Sequence, residues 1–367
     1  MKIVLTGGGS GGHLMPLIAV AGKIKEGVPD AEFVFIGPGG KLERDIIGKE
    51  NIPMHDIMVG KFRRYFSFKN LADFFKIPIG IVQAMFLLLK IMPDAIFSKG
   101  GYASLPVVLV GWIYRIPIMI HESDAVPGMA NGVLSKFADR VAVAYPEAEK
   151  EFPEAQVVLT GNPLRKNINQ GSAQKAREKF GLIESKKIIY VTGGSQGAQS
   201  INTKILDILP ELLKKYQIIH QTGENNFDEV RHRAGEMGVK PGYGGYHIMP
   251  FIYEGIADIF AAADLVVSRA SANTISEIAA NGKPSILIPL QNAANDHQRM
   301  NAYALAKFGG CVVLEENNLG KNLLLSRIEE IMESPELQEK LSRNIRTFYH
   351  PDAAEKIAQG ILGMIKN

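Results

Sequence analysis

Short, nearly continuous apolar runs alternate along this chain with longer segments whose apolar residues recur at helical spacing. Runs of strand length without polar interruption suit strands buried on both faces, and their alternation with helices predicts a parallel sheet wrapped by helices. The pattern also repeats. Residues 2–12 read Lys-Ile-Val-Leu-Thr-Gly-Gly-Gly-Ser-Gly-Gly and lead into the apolar run 13–24. Residues 187–197 read Lys-Ile-Ile-Tyr-Val-Thr-Gly-Gly-Ser-Gln-Gly and lead into the run 198–209. Each reads as a buried strand, a glycine-rich turn and a helix. The chain is therefore expected to be α/β, with two Rossmann-like domains that each open on their own first strand and loop. Proline and glycine break the pattern at Gly161-Asn162-Pro163, which sets the expected domains at 1–162 and 163–350. The last segment, 351–367, follows the break His350-Pro351 and reads as an amphipathic helix expected to pack back on the first domain.

Composition narrows the function classes. At 367 residues the chain exceeds one ordinary domain, and 46% hydrophobic with 22% charged residues supports a sizeable core. A net charge of +3 demands no nucleic-acid partner. Cys311 stands alone, so no internal disulfide forms, and no Cys/His cluster has metal-ligand spacing; both point to a reducing, cytoplasmic compartment. The apolar run before Thr6 is too short for a signal peptide. The stretch 77–92 is interrupted by Pro78, Gly80, Gln83 and Lys90. It falls short of the ~20 apolar residues that span a bilayer and is not expected to cross one.

The candidate chemistry lies in the loops. A glycine-rich turn entering a helix lets backbone N–H groups approach a phosphate, and the helix start adds about half a positive charge. The loop 7–12 has that form, although a tight turn with no ligand has it too, and Glu32 does not complete a dinucleotide fingerprint. His13 follows at the expected helix start, where an imidazole serves either as a proton acceptor for a hydroxyl group or as a cap. A third element, 264–277, runs from a short strand through small polar residues into a helix. Its Glu277 either binds ribose hydroxyls or closes a capping box with Thr274. The segment 291–298, rich in Asn and Gln, follows a further strand and suits sugar hydroxyls or plain solvation equally.

In this order the elements resemble the MurG family of glycosyltransferases, in family 28. The resemblance is carried by Gly7-Gly-Gly-Ser-Gly-Gly-His13, Lys99-Gly-Gly-Tyr102, His121-Glu-Ser-Asp124, Gly161-Asn-Pro-Leu-Arg165, Gly193-Gly-Ser-Gln-Gly197, the stretch from Ser268-Arg to Ser276-Glu277, and Asp296-His-Gln298. It covers nearly the whole chain. It implies the GT-B fold, two Rossmann-like domains whose parallel sheets face each other across a cleft. It implies inverting transfer of GlcNAc from UDP-GlcNAc to the C4 hydroxyl of MurNAc in lipid I, giving lipid II for the cell wall. Carried over residue by residue, it puts Ser10, Gly11 and Gly12 by the diphosphate and acceptor, and Arg165, Ser195 and Ile252 on the nucleotide. It puts Ala272, Asn273, Thr274, Ile275, Ser276 and Glu277 on phosphate and ribose, and Gln298 on the GlcNAc hydroxyls. His13 becomes the acceptor-activating base. Asp124 is a departure, since many members have Asn there. A carboxylate keeps the amide's acceptor role, loses its donor role, and could share the work of base.

No metal or cofactor is expected, because helix starts and loop N–H groups can stabilise a leaving diphosphate. The acceptor's polyprenyl tail implies peripheral attachment to the cytoplasmic face of an anionic membrane. Lys61, Arg63, Arg64 and Lys69, with Phe66, Phe68, Phe74, Phe75 and Trp112, are the expected contact. Contacts with other cell-wall enzymes are a further expectation. Two enzymes of the same fold stand as alternatives, a diacylglycerol sugar transferase and a UDP-GlcNAc 2-epimerase; a nucleotide-binding module without catalysis is a third reading.

Overall fold

The structure is a computed structural model that describes the chain except residues 9–10, 61–67, 195, 241, 243, 253, 292 and 367, and except the side chains of 68–75 and 294. It divides into two units, Met1–Arg165 with His350–Asn367, and Lys166–Tyr349.

The first unit is built on seven strands: β1 (Lys2–Thr6), β2 (Glu32–Gly37), β3 (Met54–Asp56), β4 (Ala95–Ser98), β5 (Ile118–Glu122), β6 (Arg140–Val143) and β7 (Val157–Leu159). They lie in the order β3-β2-β1-β4-β5-β6-β7, and every pairing is parallel. β1, β4 and β5 are sheathed on both faces by helices, which is why Ile3, Val4, Leu5, Ile96, Phe97 and Ile120 have no exposed surface. The last helix, Ala353–Lys366, returns to this unit. Its Ile357, Ala358 and Ile361 join a core made by Ile3, Leu5 and Phe97 with Leu14, Leu17 and Val20 of the helix Gly11–Gly27. Where the chain returns, Gly161 has φ 84° and a Cβ on it would sit 2.4 Å from that of His350, so only glycine lets the two segments cross there.

The second unit has six strands, β8 (Ile188–Thr192), β9 (Gln217–Gln221), β10 (Tyr246–Met249), β11 (Leu265–Ser268), β12 (Ser285–Leu287) and β13 (Val312–Val313), in the order β10-β9-β8-β11-β12-β13. All of these pairings are parallel as well.

In each unit the strand order reverses direction beside the first strand, between β1 and β4 and between β8 and β11. Ligands of open α/β sheets bind outside the carboxyl ends of the strands at that reversal. The register makes the two points alike: Thr6 lies opposite Ser98 in one sheet, and Thr192 opposite Ser268 in the other. Both glycine-rich loops of the sequence repeat leave from these positions.

Candidate active site

In the first unit β1 delivers the loop 7–12 and β4 delivers Lys99-Gly100-Gly101, side by side. Ser98 accepts the Gly100 N–H through its hydroxyl at 3.0 Å, which turns the second loop back over the sheet end. His13 lies in the first turn of the helix Gly11–Gly27, partly buried, with Nδ1 2.6 Å from the Gly8 carbonyl. A carbonyl only accepts, so in the neutral ring Nδ1 carries the proton and Nε2 keeps its lone pair. Burial, and then the charge of Lys99, hold the His13 pKa below its ordinary value, against the opposing pull of the Gly8 bond and Asp124. The result is a neutral imidazole with a basic nitrogen at neutral pH.

β5 ends in His121 and Glu122, both buried. His121 donates from Nε2 to the Gly161 carbonyl at 3.0 Å, and burial drives its pKa well down, so it serves as a neutral tie between β5 and the loop after β7. The Glu122 carboxylate gathers the following loop. It accepts the Asp124 N–H at 2.9 Å, the Gly128 N–H at 3.0 Å and Asn131 Nδ2 at 2.9 Å. Asp124 is thereby fixed at the same sheet end as His13. Lys99 is 2% exposed in this cluster, and burial lowers its pKa while Glu122 and Asp124 act to raise it.

In the second unit the loop 193–197 follows β8. Thr192 Oγ1 accepts the Gly194 N–H at 3.1 Å, repeating the device of Ser98. Gln221, at the end of β9, donates to Thr192 Oγ1 at 3.1 Å and to the Gly194 carbonyl at 3.0 Å, and accepts the Ile252 N–H at 3.2 Å. One buried amide thus joins the glycine loop to the segment carrying Ile252. After β11, Ser271 caps the helix Ala272–Asn281, accepting the Thr274 N–H at 3.4 Å. Sequence spacing had offered Thr274 and Glu277 as a capping box; the cap is Ser271, because β11 stops at Ser268 and the helix begins three residues before the expected start. Glu277 lies in the second turn, partly buried. The first turn of a helix presents backbone N–H groups of the kind that bind anions. Gln298 lies in the first turn of the next helix, His297–Lys307, and its Oε1 accepts the Leu290 N–H at 2.9 Å, which orients the amide toward the strand end.

The structure therefore gathers Gly11, Gly12, His13 and Asp124 at the reversal point of the first unit. It gathers Ile252, the run 272–277 and Gln298 at the carboxyl ends of the second sheet. Arg165 closes the first unit, partly buried. Ser10 and Ser195 lie outside the described residues, as do Lys61, Arg63, Arg64 and Phe66 and the side chains of Phe68, Lys69, Phe74 and Phe75. Among the described residues no group of three or more His, Cys, Asp or Glu is placed to hold a metal ion. Sequence reasoning missed the supporting residues. Lys99 and Glu122 stood inside quoted motifs without a role, and Gln221 carried no local signal, since its partners lie tens of residues away.

Comparison with known proteins agrees with this geometry. The glycosyltransferase family 28 N-terminal domain matches residues 3–143 and the family 28 C-terminal domain matches residues 188–357. A Clostridium perfringens protein named UDP-N-acetylglucosamine–N-acetylmuramyl-(pentapeptide) pyrophosphoryl-undecaprenol N-acetylglucosamine transferase is 41% identical over 365 residues, 99% of this chain and 96% of that one. The crystal structure of Acinetobacter baumannii MurG aligns with a TM-score of 0.74 at 25% identity, covering 99% of both chains. A UDP-GlcNAc 2-epimerase from Neisseria meningitidis aligns with a TM-score of 0.69 at 13% identity, which is likeness of fold alone. The two Rossmann-like units are thus those of the GT-B fold, and the chain belongs to glycosyltransferase family 28, in its MurG group.

Proposed function

We propose that this chain transfers GlcNAc from UDP-GlcNAc to the MurNAc C4 hydroxyl of lipid I, releasing UDP and giving lipid II. The observation that carries the chemistry is His13, with its proton fixed on Nδ1 and its lone pair on Nε2. In the reaction Nε2 takes the proton of the attacking hydroxyl as the new C1–O bond forms. The bond from C1 to the diphosphate oxygen breaks, and UDP leaves with the electron pair. A single displacement of this kind inverts the anomeric centre. Negative charge grows on the leaving diphosphate, and N–H groups at a helix start stabilise such charge without reorganising. The run 272–277 supplies that start, Glu277 the acceptor for ribose hydroxyls, and Gln298 the amide for the sugar. His13→Ala is expected to lower kcat about 100-fold or more, with calorimetric affinity for UDP-GlcNAc changed far less, since the residues assigned to ribose and sugar, Glu277 and Gln298, lie in the second unit. Turnover at the wild-type level would remove His13 from the mechanism; loss of donor affinity in the wild-type protein would remove the function.

Attachment to the membrane surface is part of the proposal. Among the described residues no helix is long and apolar enough to cross a bilayer. The helix Phe68–Ile91 instead buries Ala84 and Leu88 and exposes Ile79, Val82, Phe86 and Leu89, the last two at 71% and 58%. Trp112 and Ile113, at the end of the packed neighbouring helix Leu105–Ile113, are half exposed, and Lys76, Lys90 and Arg115 lie at the surface around them. An apolar face with basic neighbours suits an anionic interface on the cytoplasmic side. Replacing Phe86, Leu89 and Trp112 by serine is expected to abolish flotation with anionic liposomes, and unchanged flotation would discard this face.

A further inference from the structure

Two adjacent carboxylates follow β13, and they grip opposite ends of the segment 291–299 that carries Gln298. Glu316 accepts Arg269 Nη2 at 2.6 Å, the Gln291 N–H at 2.9 Å and the Ser200 hydroxyl. Arg269, 7% exposed, also donates from Nη2 to Ser200 at 2.8 Å, and from Nη1 to the carbonyls of Ile288 and Pro289 at 3.2 and 3.3 Å. These contacts join the ends of β11, β12 and β13 to the start of the helix Gln199–Lys215 that follows the glycine loop. On the other side Glu315 accepts Arg299 Nε at 3.0 Å and the Tyr303 hydroxyl at 2.7 Å, and Arg299 Nη1 reaches Asp296 at 3.2 Å.

Between the two grips Asn295 and Asp296 both adopt φ 54°, left-handed backbone that these residues tolerate but do not favour. Such a segment persists where its surroundings hold it. Arg269 spends its Nη donors on protein acceptors, so it stands as part of the frame and not as a cation waiting for the diphosphate. We propose that Glu316, seconded by Glu315, is a positioning residue for sugar recognition. It sets the segment 291–298, with Gln298, in register with the phosphate and ribose turn 269–277. This rests on the donor reading of the second unit.

The test uses the full chain, with calorimetry for UDP and UDP-GlcNAc and steady-state rates with a lipid-linked acceptor. Glu316→Gln, which keeps one acceptor oxygen but loses the charge, is expected to raise KM for UDP-GlcNAc about tenfold. Affinity for UDP should change by less than about threefold, because UDP lacks the sugar that the segment reads, and the acceptor KM should hold. Glu316→Asp should recover part of the loss. Glu315→Gln, at a more exposed site, should show the same sugar-selective loss without disturbing Arg269, and it carries the test if Glu316→Gln fails to fold. Equal weakening of UDP and UDP-GlcNAc, or a lower Tm with unchanged KM, overturns the proposal. A wild-type protein that binds neither ligand overturns the donor reading instead.

Discussion

Burial lowers the pKa of His13, His121 and His220 alike, but His13 is only partly buried, and the bonds the three make assign them different work. His13 has its Nδ1 proton pinned to Gly8 and, among the described residues, no hydrogen bond on Nε2, and its pKa lies below the ordinary histidine value. Below that pKa the ring is charged and accepts no proton, so kcat/KM is expected to stay level through neutrality and to fall on acidification with a midpoint under ~6.5. Lys99→Met removes the charge that adds to burial in depressing it and should move the limb upward; a limb at or above the ordinary value in the wild type would contradict the role. His220 is bonded on both sides, to Tyr246 at 3.0 Å and Asn202 at 2.9 Å, and burial pushes its pKa down to about 3. The folded state therefore binds fewer protons than the unfolded state between about 3 and ~6.5, so stability is complete above that window and is lost as pH falls through it. By pH ~5 the loss from this one ring is roughly 2 kcal/mol. Urea titrations of wild type and His220→Gln should show a shallower acid dependence in the variant. At this scale the residue types were legible, but their protonation was not, since it depends on carbonyls and charges brought in from other strands.

Strand-turn-helix units were the most legible elements, because closely similar runs, Ile-Val-Leu-Thr-Gly-Gly and Ile-Tyr-Val-Thr-Gly-Gly, open both sheets. The glycines have separate physical reasons. Gly197 has φ 75°, and a Cβ on it would lie 2.1 Å from the Thr222 carbonyl oxygen. Gly223 meets the same turn from the other side, with its own Cβ position 2.5 Å from Gly197 Cα. Two loops from neighbouring strands thus touch backbone to backbone. Gly197→Ala combines a left-handed penalty with an overlap against rigid backbone and is expected to cost about 3 kcal/mol. UDP affinity should fall with it, read by calorimetry alongside Tm; a variant that keeps both would show the contact to be soft. The helix start at Ser271 was misplaced from sequence because several Ser and Thr residues in a row all satisfy capping patterns. The strand end at Ser268 is legible in the sequence, and the structure pairs that residue with Thr192.

At the scale of the whole chain, the last helix belongs to the core of the unit that begins the sequence. Ile357 and Ile361 are fully buried there. Removing 351–367 exposes that core, at a cost on the order of 5 kcal/mol for these side chains. Limited proteolysis of the truncated chain is expected to degrade 1–165 while 166–349 persists; equal survival of both would show the helix to be dispensable. The sequence by itself determined the parallel α/β class, the two glycine loops, the reversal-point motifs and the place of His13 at a helix start, because buried strand runs and glycine-rich turns are written in contiguous residues. The tertiary structure alone decided which nitrogen of His13 is basic, that Glu122 and Gln221 hold the loops, and that Glu316 reaches back to Arg269. Those contacts join the carboxyl ends of strands that are neighbours in a sheet but far apart in the chain, and no local pattern records them.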